Sequence, residues 1–145
     1  MQNKPIIVVV DGLGGGIGAQ LCSKVRQILG SRVEIVALGT NAAATEQMLK
    51  AGADRGASGE NAIRVSIGTG QVILGPLGIV LPDSMMGEIT PAMAQAVMAA
   101  RCKKILLPVN QPHFTLAGML SVPLSKLIDE AVGLLASELA DVIEK

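Results

Sequence analysis

Asp11 is followed by five glycines within seven residues, Gly12, Gly14, Gly15, Gly16 and Gly18, with Leu13 and Ile17 between them. Glycine has no Cβ, so backbone N–H groups in such a run can approach a bound group closely. Phosphate suits those amides best where a helix begins, because its first N–H groups are free and carry partial positive charge. The expected ligand is therefore a nucleotide or another phosphate-bearing cofactor. Asp11 is the odd member, since a carboxylate beside a phosphate loop is repulsive unless a cation intervenes. It could meet Mg²⁺ through phosphate, orient a ribose hydroxyl, or bond the turn's own N–H groups. His113 is the single imidazole of the chain and the natural candidate for an acid or base.

The elements around the glycines make this reading specific. Ile6 to Val10 is an unbroken β-branched run, the pattern of a strand covered on both faces. After the glycines, Ile17, Leu21, Val25, Ile28 and Leu29 recur at helical spacing, and Gly30 is a natural stop. Strand, glycine turn and helix form the context in which a dinucleotide fingerprint has meaning. Two registers fit: Gly14, Gly16 and Ala19 as G-x-G-x-x-A, or Gly12, Gly16, Ile17 and Gly18 as G-x-x-x-G-I-G. The second puts a glycine at the sharp bend just after the strand and is preferred.

Val33 to Leu38 reads as a second strand, and Asn41 as the cap of a helix running to about Ala51. Dinucleotide folds carry an acidic residue at the end of the second strand for the ribose. Leu38, Gly39, Thr40 and Asn41 stand there instead, which argues against ordinary NAD use. Thr40 or Asn41 remains able to bond a ribose hydroxyl. Asp54 to Asn61 reads as a polar loop or the entrance to a helix from Gly59 to Ser66 capped by Ser58, with Arg55 as a counter-charge for phosphate. Gln71 to Leu74 is the third strand, ending at Gly75-Pro76. Pro82 to Glu88 is a loop whose Asp83 and Glu88 could join Asp11 at a metal. Met85, Met86, Met93 and Met98 suit an apolar surface, the core or a subunit contact.

Thr90-Pro91 starts a helix, Ile105 to Val109 gives a fourth strand, and Phe114 to Leu120 a fifth, at the edge. Pro123 opens the last helix, with Leu124, Leu127, Ile128, Ala131, Leu135, Leu139 and Val142 as its buried stripe. Alternating strands and helices predict a single three-layer α/β domain over residues 1–145, with a mostly parallel five-stranded sheet. Its strand order is expected to be half-Rossmann, 3-2-1-4-5, rather than flavodoxin-like. Ligands of such sheets lie beyond the strands' carboxyl ends. Those ends collect Asp11, Gly12, Thr40, Asn41, Gly75 and the stretch from Asn110 to His113.

Half of the residues are hydrophobic, 17% are charged, and Phe114 is the one aromatic side chain. The core must be aliphatic, and so apolar a chain is expected to hide surface in a homo-oligomer. Zero net charge argues against nucleic-acid and membrane surfaces as partners. The first apolar run is too short for a signal peptide or a membrane span, so a cytoplasmic protein is expected. Cys22 and Cys102 read as reduced structural thiols, and two Cys with one His supply no zinc spacing, so no metal site is expected.

Taken together, DGLGGGIGAQL, DRGASGENAI, VILGPLGIVLPDSMMGEITPAM and KILLPVN resemble a small bacterial family of single-domain proteins of unknown function. That resemblance spans nearly the whole chain and implies a Rossmann-like fold, with no established activity. The glycine loop alone resembles that of short-chain dehydrogenases. Those enzymes use a Tyr and a Lys four residues later, and this chain has no tyrosine. A weaker likeness, to the glycine loop of tubulin-like GTPases, fails at Ile17 and Gln20. Three roles remain open: a nucleotide-binding or sensing module, a small enzyme using Asp11 and His113, or an interaction protein with an empty loop.

Overall fold

The computed structural model describes residues 3–109, 114–119 and 121–143. In chain order these form β1 (Ile6–Asp11), α1 (Gly16–Leu29), β2 (Glu34–Gly39), α2 (Ala42–Lys50), β3 (Arg55–Ser58), α3 (Glu60–Ser66), β4 (Val72–Pro76), α4 (Pro91–Ala99), β5 (Lys103–Leu107) and α5 (Leu124–Ile143). All five strands are parallel and lie in the order β3-β2-β1-β4-β5. The architecture is the expected three-layer, Rossmann-like α/β domain.

Period-two alternation along the strands divides the core into two layers. Ile7, Val9, Ile35, Ala37, Val72, Leu74, Ile105 and Leu107 point to one face, where Leu21, Val25, Met48, Ile128 and Leu135 cover them. Those covering residues belong to α1, α2 and α5. Val8, Val10, Val36, Leu38 and Ile73 point to the other face, against Ile63, Ile79, Met93 and Val97. A strand packed on both sides needs apolar residues at every position, which is why β1 shows no polar alternation. Cys22 lies in the first layer, fully buried, and burial pushes its thiol up to about 12.

Three sequence expectations about the sheet are corrected. The numerical order is the predicted one, but the strands bearing the numbers differ. Val72–Pro76, expected as the outer third strand, pairs directly with β1 on the side away from β2. Its outer place is taken by Arg55–Ser58, expected as loop. That strand is short and largely exposed, so it carries no hydrophobic signature. It docks because Gly56 is bare: a Cβ there would lie 2.7 Å from Thr45 Cγ2 and 2.9 Å from the Ala37 carbonyl oxygen. Of the stretch Phe114 to Leu120, expected as an edge strand, the described residues 114–119 form no strand of the sheet. Met119 N–H closes a turn onto the Leu116 carbonyl and Gly118 takes φ 84°, so the chain bends where a strand would run straight.

The helix starts follow the sequence. Asn41 Oδ1 accepts from Ala44 N–H at 2.8 Å, and Thr90 Oγ1 accepts from Met93 N–H at 3.1 Å with Pro91 at the first helical position. Ser58 does not cap α3, because it is already the last residue of β3 and Gly59 takes the cap position. Of the expected α5 stripe, Val142 is exposed, and Val132 is buried instead. No described helix is long and apolar enough to cross a membrane.

Candidate functional site at the glycine turn

Each sequence-predicted glycine now has a defined surrounding, and they divide into two kinds. A Cβ on Gly12 would lie 2.7 Å from both Met85 Sδ and Thr40 Oγ1. On Gly15, whose φ is +73°, it would lie 2.8 Å from the Ala44 backbone. On Gly18 it would lie 2.6 Å from Met48 Sδ and 2.9 Å from Asp11 Cβ. These three are glycine because the end of β2 and the Met85 loop crowd Gly12, α2 crowds Gly15, and α2 with the end of β1 crowds Gly18. Gly14 and Gly16 differ, since a Cβ on either would meet nothing within 4 Å. Among the described residues, no acceptor reaches their N–H groups. Gly75 is of the packed kind, its missing Cβ leaving room for the Val10 carbonyl and Ile79.

Asp11 does the third of the jobs foreseen for it. Its Oδ1 accepts from Gly12 N–H at 2.8 Å and its Oδ2 from Gly18 N–H at 2.7 Å. The carboxylate thus ties the end of β1 to the first turn of α1, and only 4% of the residue is exposed. Burial raises its pKa above the ordinary 3.8, the Gly18 and Gly12 amides working against this and the Glu88 charge adding to it.

Glu88 is the residue whose role sequence reasoning underestimated. The segment after β4 folds over the turn, and Glu88 Oε1 accepts from three donors: Leu13 N–H at 2.8 Å, Asn41 Nδ2 at 2.9 Å, and the Thr40 hydroxyl. The Thr40 hydroxyl chiefly, then the Leu13 amide and Asn41, pull its pKa below the ordinary 4.5 against the cost of partial burial. Asn41 also donates to the Leu13 carbonyl at 3.0 Å, and Thr40 N–H donates to the Asp11 carbonyl at 3.0 Å. The end of β2 therefore does have a carboxylate beside it, supplied from 47 residues beyond Asn41. The only sequence signal was the polar pair Thr40-Asn41 ending an apolar strand without an acid of its own.

The facing segments are also where the backbone is strained. Among the described residues, Leu13, Asp83, Met85 and Met86 are the non-glycine residues with positive φ, at 50°, 65°, 56° and 57°. Each such residue costs about 1–2 kcal/mol relative to ordinary backbone. One lies in the glycine turn and three in the loop above it.

Other predicted participants lie elsewhere. Arg55 begins β3 at the amino edge of the sheet and pairs with Glu34, so it is not a counter-charge at the carboxyl edge. Asn110 and His113 lie outside the described residues. Asp83 does not join Asp11; its N–H bonds the Ile89 carbonyl at 2.7 Å. Met93 is core, Met85 packs over Gly12, and Met86 and Met98 are exposed. No group of three or more His, Cys, Asp or Glu among the described residues could hold a metal. A separate hollow of about 460 Å³ opens at the carboxyl end of β5, lined by Val109, Phe114, Leu116, Met119 and Leu127 among others.

A domain of unknown function, DUF3842, matches residues 6–140. The chain belongs to the DUF3842 family. The match runs from the first residue of β1 into the last turns of α5, so the sheet, the glycine turn and the Glu88 loop of this DUF3842 protein all fall inside it. No curated protein matches the chain.

Proposed function

We propose that this DUF3842 protein binds a phosphate-bearing small molecule, a nucleotide foremost, in the crevice at the carboxyl ends of β1 and β4. The observation that carries the reading is the pair Gly14 and Gly16. Their N–H groups have no acceptor among the described residues, and the space where a Cβ would stand on either is open. Packing explains the other three glycines; it gives no reason for these two. They precede and begin a helix of 14 residues, whose N-terminal partial charge favours an anion. The place in the sheet supports the same reading. Chain order runs outward from β1 to β3 on one side and from β4 to β5 on the other, so β1 and β4 flank the switch point where open α/β sheets take ligands.

The role is that of a binding or sensing module. Both oxygens of the Asp11 carboxylate are engaged by main-chain amides, which favours a structural Asp11 over a general base. NAD, NADP, FAD, ATP, GTP, coenzyme A and S-adenosylmethionine form the test panel, by thermal shift with and without Mg²⁺. A ligand at 100 times its Kd adds about 2.7 kcal/mol to stability. At least one should raise the Tm. Gly14→Val should abolish that rise while leaving the unliganded Tm within a few degrees, because the added side chain enters open space. If no compound shifts the wild-type protein, the reading is wrong. Turnover of a bound compound that Asp11→Asn removes would instead make the protein an enzyme.

A further inference from the structure

We infer that the loop from Pro82 to Glu88 is an autoinhibitory latch, and that the Glu88 carboxylate is an internal stand-in seated where a ligand's oxyanion binds. This rests on the preceding reading of the glycine turn and adds how access to it is controlled. The seat is defined by three donors that meet at one oxygen: the Leu13 amide, the Thr40 hydroxyl and the Asn41 carboxamide. Anchoring a surface loop needs one such bond. Convergence of three on a single anionic oxygen is the arrangement of an oxyanion receptor.

The donors do not depend on the loop for their positions. Thr40 is fixed by its N–H to the Asp11 carbonyl. Asn41 caps α2 through Oδ1 and holds the Leu13 carbonyl through Nδ2. Leu13 belongs to the turn that Asp11 ties to α1. With Glu88 withdrawn, the seat persists and is empty of charge.

The loop is built to leave. Asp83, Met85 and Met86 all hold left-handed backbone, and Gly87 adds a fourth positive φ of 89°. Its tip is held by turn bonds, Gly87 N–H to the Ser84 carbonyl and Glu88 N–H to the Met85 carbonyl, which can move with it, while its base stays fixed by Ser84 Oγ on the Gly78 carbonyl at 2.5 Å and by the buried Ile89. Met86 at its tip is 96% exposed. Its attachments to the turn are the Glu88 carboxylate and the Met85 sulfur over Gly12. Opening releases strain but empties the seat, and an anionic ligand refills it. The same charge logic makes closure inhibitory, because phosphate entering beside a seated carboxylate meets a like charge at a few ångströms.

Inorganic phosphate and ATP are titrated calorimetrically into wild type, Glu88→Ala, Glu88→Gln and the double variant Glu88→Ala/Thr40→Val. Both single variants should bind phosphate about tenfold or more tightly than wild type, the charge having gone. Glu88→Gln keeps the shape of the loop and serves if Glu88→Ala fails to fold. Adding Thr40→Val should reverse the gain, since it deletes one donor of the seat. Wild type binding ATP, with neither single variant binding phosphate or ATP more tightly, overturns the latch and leaves the nucleotide reading standing. Tighter phosphate binding in the variants, with no nucleotide bound by any of the proteins, upholds the latch and overturns the nucleotide reading. Phosphate and ATP both refused by every protein overturns both.

Discussion

Two carboxylates beside the glycine turn have pKa values shifted in opposite directions, and pH separates them. Glu88 accepts its three bonds as the charged form, and the Thr40 hydroxyl chiefly holds its pKa below 4.5. Its contribution to stability is therefore full above 4.5 and is lost as pH falls through the lower folded value. Asp11 behaves the other way. Burial lifts its pKa above 3.8, so its contribution is full below 3.8 and is lost as pH rises through the raised folded value. A Glu88→Gln variant isolates the first effect. Wild type should melt higher than the variant at pH 7, with the gap closing as pH is lowered past 4.5. A gap that stays constant from neutral to acid would mean that Glu88's charge does nothing for the fold.

At the scale of elements, the turn between β1 and α1 tests the division of the glycines. Gly15 combines φ +73° with backbone atoms of Ala44 at 2.8 Å from the missing Cβ. Gly15→Ala must strain the turn or push α2 away, a loss of about 1–3 kcal/mol or more. Gly14→Ala and Gly16→Ala add a methyl to open space at negative φ, and should stay within about 0.5 kcal/mol of wild type. Urea unfolding of the three variants measures the contrast directly. Equal losses at all three positions would remove the argument that two of these glycines await a ligand. Spacing groups Gly12, Gly16 and Gly18 in one register; only the neighbours Ala44, Met48 and Met85, brought in from later elements, show that Gly12, Gly15 and Gly18 are the packed ones.

Over the whole molecule, β1 is the axis. It is paired on both sides, and Ile7 through Val10 are entirely buried between the two helical layers. The α5 helix closes one layer late in the chain, with Leu135 fully buried in the cluster that includes Val9 and Leu21. Truncation to Leu135→Ala should cost about 2–5 kcal/mol by leaving a cavity in that layer. Denaturant unfolding should show the midpoint falling with no change in slope, the mark of a stability loss within one cooperative unit. Two separate transitions in the variant would show that α5 is an appendage rather than part of the core.

Local pattern was enough for much of this protein. The β-branched run of β1, the 3.6-residue spacing of α1 and α5, and the Asn41 and Thr90-Pro91 caps each depend on neighbours within a turn or two, so the residues themselves specify them. So did the three-layer class, because buried parallel strands alternating with helices have few other ways to pack. Tertiary structure decided what depends on distant partners. Arg55–Ser58 is a strand only because β2 lies open beside it and Gly56 permits the approach. Val72–Pro76 sits next to β1 because chain crossing, not composition, selects its neighbour. Glu88 reaches Leu13, Thr40 and Asn41 across long stretches of sequence, through a loop whose left-handed residues include a methionine pair that no turn rule would choose. Those contacts set the charge at the mouth of the crevice, and no local pattern encodes a charge delivered from so far along the chain.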